Sequence, residues 1–306
     1  MEQVAKYSSV EAVTIPKPRK LNVMSKIAPY LYLTPAMIFF ATFVYAPFIN
    51  TIRMSFCITN LRGEAVKFVG LRNYTETITS PSFLNSLMVT FQFVALIAVP
   101  SIIIGLILVL LANNKTKLSR LYELMFSAPM AIASAPAAII WTMIFHPTNG
   151  ILNYLVQREV GWLTNPNIAI YSVALVTVWL NIGINFIYLL TGIRNIPEEL
   201  IESAEVDGAK YFQKLFSITL PMLSPQLFFV FFLNMIMAFQ AFSQIRLLTA
   251  GGPENTTNVL VHSIYREAFF NGRFEMASVQ SLILFVIMLI FTIVQFALEK
   301  KLVHYQ

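Results

Sequence analysis

The chain is 306 residues long, 57% hydrophobic and 12% charged, and carries a formal net charge of +6. Soluble domains hold about 25% charged residues, so this composition excludes an ordinary soluble domain and points to lipid as the solvent. The cations are scattered over short connections, which excludes a nucleic-acid-binding stripe, the single Cys57 excludes an intramolecular disulfide framework, and His146, His262 and His304 are too dispersed for a metal site.

In chain order, residues 1–26 form a polar tail with the basic run Lys17-Pro18-Arg19-Lys20 and Lys26. The apolar stretch that follows, 27–52, is longer than the roughly 7–15 residues of a signal-peptide core and ends without a small-residue cleavage site. It is expected to be a retained first helix. Five further stretches, 84–114, 124–145, 168–193, 221–245 and 276–298, also lack Asp, Glu, Lys and Arg. A bilayer-spanning helix needs about 20 consecutive apolar residues, and all six stretches are long enough. The expected fold is an all-α integral membrane protein with six transmembrane helices over 27–298 and a tail over 299–306. Pro29, Pro35, Pro47, Pro100, Pro129 and Pro136 lie inside these spans or at their ends, where each interior proline removes a backbone hydrogen bond and kinks its helix.

Six spans place both termini on one side. With that side inside, the inner segments hold thirteen Lys and Arg, Lys115, Lys117, Arg120, Arg194, Lys210 and Lys214 among them, against seven in the outer segments. The excess of cations predicts cytoplasmic termini. The outer connections carry turn signals at Pro147-Thr148-Asn149-Gly150, Asn165-Pro166-Asn167 and Gly251-Gly252-Pro253. No internal repeat and no low-complexity segment is visible.

Between the fourth and fifth spans lies a segment, 196–221, with the pattern of a helical hairpin. Pro197 suits a first helical position, Glu198 and Glu199 suit the positive end of a helix dipole, and Gly208 suits a left-handed helix end. A second helix is expected to start with Asp207 as its N-cap and to carry Tyr211, Phe212, Leu215 and Phe216 on one face. Such a hairpin can fit a partner's groove, lie on the membrane surface or pack beneath the bundle.

Within it, Glu202-Ser203-Ala204, Asp207-Gly208-Ala209, and then Ile218, Leu220 and Pro221 resemble the cytoplasmic "EAA" signature of ABC importer permeases. Ser203 stands where that signature has alanine, a small-for-small change. Phe68-Val69-Gly70-Leu71-Arg72-Asn73-Tyr74, Gly251-Gly252-Pro253 and Tyr265-Arg266-Glu267-Ala268-Phe269 resemble the carbohydrate and glycerol-phosphate branch of the same family. The resemblance covers about 27–306. It implies that the hairpin couples to a separate ATP-hydrolysing subunit, that a second similar permease completes the pathway, and that an extracytoplasmic binding protein delivers a sugar or sugar-like solute across the bacterial cell membrane. A polyol phosphate such as glycerol 3-phosphate is the alternative solute.

The chain has no G-x-x-x-x-G-K-[ST] phosphate cradle, no Ser-His-Asp or paired-carboxylate arrangement in its spans, and no pattern for a cofactor or metal. An energy source outside the chain is therefore expected. A self-contained secondary transporter would want an intramembrane carboxylate, and the spans contain none; an intramembrane hydrolase would want a nucleophile with a positioned base, and no histidine lies in a span.

Polar groups inside spans are costly unless paired or wet, so they mark candidate pathway residues. Asn181, Asn185 and Tyr188 share a face of the fourth span; Asn234, Gln240 and Gln244 lie on the fifth, the last two on one face with Ser243 nearby. Amides and rings suit a neutral polyol, and the same amides can simply bond helix to helix. An anionic solute would want a cation, for which Arg246 at the outer end of the fifth span is the candidate.

Overall fold

The computed structural model describes residues 23–113 and 119–302. The basic run at 17–20, Asn114 of the second predicted span, Lys115, Lys117 and residues 303–306 lie outside them. The chain divides into two compact units, 1–50 and 51–306.

The first unit holds α1 (Val23–Phe40), a π-helical turn (Ala41–Tyr45) and the start of α2 (Ala46–Ser55), with side chains 30–50 exposed. The wide turn has a covalent cause. Pro47 has no N–H and its ring crowds the carbonyl one turn back, so the turn ahead of it opens and the Ala46 N–H reaches Ala41 O.

The second unit opens with an antiparallel hairpin of β1 (Cys57–Thr59) and β2 (Ala65–Phe68), a departure from the expected all-α fold. Asn60 folds its turn by accepting the Arg62 and Glu64 N–H groups on Oδ1, and Gly63 supplies the left-handed residue at φ +77°. Helix α3 (Arg72–Thr79) follows, and Asn73 donates to the carbonyls of Ser55 and Cys57 at 2.9 and 2.8 Å, closing the hairpin onto the end of α2.

Three long helices match the expected spans within a few residues: α4 (Pro81–Ala112), α8 (Ala169–Arg194) and α15 (Phe274–Leu302). With the first helix, Tyr30–Ser55, they are the four helices among the described residues that are by themselves long and apolar enough to cross a bilayer. The expected third span is instead a bent pair. Helix α5 (Ser119–Ser127) and a 3₁₀ turn (Ala128–Ala131) meet α6 (Ser134–Ile144) at 101°, and α7 (Ile151–Val156) follows. Ile132 and Ala133 are extended, and Pro136 is tolerated because it sits in the first turn of α6, where the missing N–H has no intrahelical acceptor.

The fifth is also bent. After α9 (Glu198–Val206) and α10 (Tyr211–Lys214) come a second π turn (Leu215–Thr219) and α11 (Leu220–Met222), which meet α12 (Ser224–Phe239) at 66°. Pro221 repeats the Pro47 effect: the Leu220 N–H reaches five residues back to Leu215 O. Helix α12 stops at Gln240, and α13 (Ser243–Leu248) and α14 (Leu260–Phe269) complete the chain before α15. Counting each bent pair as one span gives six.

Helix α4 packs along both α8 and α12, and α13 packs along α6. One buried cluster joins Phe93, Ile97, Val173, Val176, Phe239 and Ile245; a second, toward the 196–221 end, joins Val109, Phe186, Leu189, Leu223 and Val230. Glycines set the closest approaches. A Cβ on Gly105 would stand 3.3 Å from that of Asn185, and one on Gly183 would stand 2.7 Å from Met130 Cβ and 2.8 Å from Ser127 O, so the elbow of the third span seats against α8 only because residue 183 has no side chain.

Candidate functional sites in the hairpin and the bundle

The hairpin between α8 and α12 closes by a two-bond helix terminator. The Ala209 N–H donates to Ala204 O at 2.9 Å and the Gly208 N–H to Glu205 O at 3.0 Å, with Gly208 left-handed at φ +77°. This is the Schellman pattern, which needs a residue tolerant of positive φ at that one position. The small residues of the motif therefore occupy the two ends of its longer bond. Asp207 is the C-cap of α9 and not the N-cap of the second helix. Because Gly208 and Ala209 are used in the terminator, the chain extends at Lys210, whose N–H is accepted by Gln213 Oε1 at 2.7 Å, and α10 starts one residue later.

Lys214 pairs with Glu205 across the hairpin, and Arg194 at the end of α8 pairs with Glu123 of α5 at 2.6 Å. A cavity of about 490 Å³ lies beneath, lined by Leu110, Ile193, Arg194, Ile201, Tyr211 and Lys214 among others. Glu202, Ser203 and Asp207 are exposed, as are the apolar side chains Val206, Tyr211, Phe212 and Phe216, while Ile218, Leu220 and Pro221 are half-buried. Exposed apolar surface of this kind suits a partner's groove or a membrane surface.

In the bundle, Asn181, Asn185 and Asn234 meet as one buried amide cluster. Asn234 Oδ1 accepts from Asn181 and from Asn185, both at 3.2 Å, while Asn234 Nδ2 donates to Asn185 Oδ1 at 2.9 Å and to Val230 O at 2.7 Å. These groups bond helix to helix. Tyr188, on the same side of α8, is partly exposed and packs edge-on to Phe229 at 5.1 Å between ring centres. Gln240 and Gln244 do not share a helical face, because the backbone breaks between α12 and α13 at Gln240–Phe242. Gln240 is exposed at the end of α12 and Gln244 half-buried in α13.

The other end of the bundle carries polar order that the sequence did not signal. Asn258 Nδ2 donates to Ser86 Oγ at 3.1 Å and Leu260 N to Thr90 Oγ1 at 2.8 Å, tying the loop before α14 to α4. Asn258 Oδ1 lies 2.8 Å from His262 Nδ1. Since that amide's NH₂ is already used on Ser86, its oxygen accepts and the His262 ring carries its proton on Nδ1. Burial, then Arg266 and Arg246, lower the His262 pKa to about 4, so the ring is neutral at physiological pH. Gly251, at φ +84°, has no room for a side chain, since a Cβ there would stand 2.7 Å from His262 Cε1.

A bundle of apolar helices with a motif-bearing hairpin is the build of a membrane transport subunit. The chain belongs to the family described as binding-protein-dependent transport system inner membrane component, whose sequence profile matches residues 74–304. It is 34% identical over 285 residues to the sn-glycerol-3-phosphate transport system permease protein UgpA of Agrobacterium fabrum, covering 92% of this chain and 97% of that protein. The protein of the same name from Brucella abortus biovar 1 is 33% identical over 291 residues, covering 94% and 99%. In structure the chain is similar to a bacterial ABC transporter involved in the import of the acidic polysaccharide alginate, with a TM-score of 0.82 at 21% identity over 92% of this chain and 98% of the other. That likeness shows the permease fold.

Proposed function

We propose that this chain is one of two permease subunits through which an ABC importer of the bacterial inner membrane moves a sugar-like solute, most closely a polyol phosphate such as sn-glycerol 3-phosphate. The observation that carries the reading is the Schellman-closed hairpin with its exposed Val206, Tyr211, Phe212 and Phe216, in a chain similar over nine-tenths of its length to glycerol-phosphate permeases. The chain crosses the bilayer six times, with both bent helix pairs counted as spans and both termini cytoplasmic.

Glu202, Ser203, Ala204, Asp207, Gly208 and Ala209 form the docking tip for a separate ATPase, and Ile218, Leu220 and Pro221 fix the tip to the fifth span. ATP-driven movement of the tip passes through the rigid turn at Pro221 into α12, and so reaches Asn234. Asn181, Asn185, Tyr188, Asn234, Gln240 and Gln244 contribute to the pathway when the helices part, the amides then exchanging each other for solute hydroxyls. A second, homologous permease closes the other half, and an extracytoplasmic binding protein supplies the solute.

The test is solute-stimulated ATP hydrolysis by the purified complex of this chain with its second permease, ATPase and binding protein. Stimulation by sn-glycerol 3-phosphate is expected, and stimulation by no sugar or polyol phosphate would remove the reading. A cysteine at Thr256 in a Cys57→Ala background reports the orientation: impermeant reagent should reach it from outside intact cells.

A further inference from the structure

Arg246 lies in the last turn of α13 with its guanidinium 5.5 Å from the Tyr265 ring centre and 5.1 Å from that of Phe270. Two other arginines of this region are engaged by polar groups: Arg266 donates to Asn255 at 2.8 Å, and Arg273 pairs with Glu267 at 2.9 Å and lies 3.7 Å from Glu76. Arg246 pairs with no carboxylate among the described residues. Both distances are in the cation–π range while the two rings stand at 66° to each other, and since neither ring is a conventional hydrogen-bond acceptor, the guanidinium keeps N–H donors for the bidentate recognition of a phosphate or carboxylate to which arginine is suited. The rings themselves suit the apolar face of a polyol, and Phe269 and Phe270 are exposed beside them.

The surroundings keep the positive potential uncompensated. His262, whose ring centre is 6.5 Å from that of Tyr265, is neutral, and Arg266 adds charge of the same sign. An anion arriving here meets guanidinium donors in a half-buried setting, with no carboxylate partner among the described residues to displace.

We propose that Arg246, on its ledge of Tyr265 and Phe270, is an anion-recognition site at the mouth of the pathway that takes the phosphate group of a polyol monophosphate as it passes inward. This deepens the proposed function and rests on it. A neutral sugar has no use for the site. Arg246 binds and orients the solute, and no bond is made or broken there.

The experiment restores charge chemically. Arg246→Cys in a Cys57→Ala background removes both the cation and the chain's only other thiol. The variant, in the full importer complex in proteoliposomes with binding protein outside, is treated with 2-aminoethyl methanethiosulfonate, which adds an ammonium, or with 2-sulfonatoethyl methanethiosulfonate, which adds a sulfonate. Uptake of sn-glycerol 3-phosphate should fall about tenfold or more in the untreated variant, recover with the ammonium and stay low with the sulfonate. The Cys57→Ala parent should respond to neither. Because one and the same folded protein is compared before and after labelling, a packing role alone predicts no difference between the reagents. Equal uptake after both overturns the site while leaving the solute reading intact. If the unmutated complex imports a neutral sugar and no polyol phosphate, the solute reading fails, and the site falls with it.

Discussion

Asn234 and Asn185 hold each other by two reciprocal amide hydrogen bonds, 2.9 Å in one direction and 3.2 Å in the other, across the contact between α12 and α8. Both side chains are fully buried, and Asn181 joins them on the same oxygen. In hydrocarbon no water replaces a lost partner, so this cluster holds two helices in register. Removing one member should strand the others. Asn234→Ala is expected to cost about 1–3 kcal/mol of stability, read as unfolding in detergent. Asn185→Ala on top of it should add far less than it costs alone, because the pair is coupled. Additive losses would mean that the amides act independently.

Gly208 has open space around its absent side chain, yet stands at φ +77°. Any cost of substitution there is therefore backbone strain and not collision. Asparagine, which tolerates the left-handed region, should be nearly silent, while valine should cost about 1–2 kcal/mol locally and misdirect α10. Uptake should fall with membrane insertion preserved. Normal ATPase co-purification and normal solute-stimulated hydrolysis in a Gly208→Trp, Glu202→Lys double variant would remove the coupling role.

Gly183 is the opposite case, with ordinary helical backbone and no space. Its missing Cβ is where Met130 and Ser127 of the third-span elbow lie. Gly183→Val should push the elbow off α8 at a cost of about 1–3 kcal/mol, the range for overpacking a well-filled interior. Gly183→Ala should fall between. Unfolding in detergent measures both, and a silent valine would mean that the elbow can shift freely.

Burial and two neighbouring arginines lower the His262 pKa from 6.5 to about 4. The folded protein thus binds fewer protons than the unfolded chain between those values. Stability from this group is fully present above pH 6.5 and is lost as pH falls toward 4. Melting curves of the detergent-solubilised protein at pH 7, 5.5 and 4.5 should show this slope, and His262→Gln should flatten it. An unchanged slope in the variant would place the acid sensitivity elsewhere.

The long helices were legible because bilayer thickness fixes a minimum apolar length and a single internal charge is costly: the bounds of α4, α8 and α15 differ from the charge-free runs by a few residues. The position of Gly208 was legible for a similarly strict reason, since few residues accept its φ. The elbow at Ile132-Ala133 was visible only as prolines, which bend a helix or break it according to what the neighbouring helix offers, here the bare backbone at Gly183. Nothing in Phe239-Gln240-Ala241-Phe242 marks a break, as the run holds neither glycine nor proline, so the shared face assigned to Gln240 and Gln244 could not have been rejected from sequence. The β1–β2 hairpin was hidden behind the first apolar run, although Asn60 and Gly63 are its turn chemistry. The role of Arg246 depends on rings about twenty residues further along the chain, beyond any local pattern.

Helix α13, which follows the break at Gln240–Phe242, runs along α6, which follows the break at Ile132-Ala133. An unbroken helix keeps its own backbone donors and acceptors occupied and can stand in oil on all sides; an interrupted one cannot. The breaks at Ile132-Ala133 and at Gln240–Phe242 therefore give the protein a compass. The sector that carries them must be shielded by water or by protein, and the lipid tails are left to unbroken helix surface such as the exposed Val286, Leu289, Ile290 and Ile293 face of α15. A lipid-partitioning quencher should accordingly dim a tryptophan placed at Val286 more than one placed at Ile132.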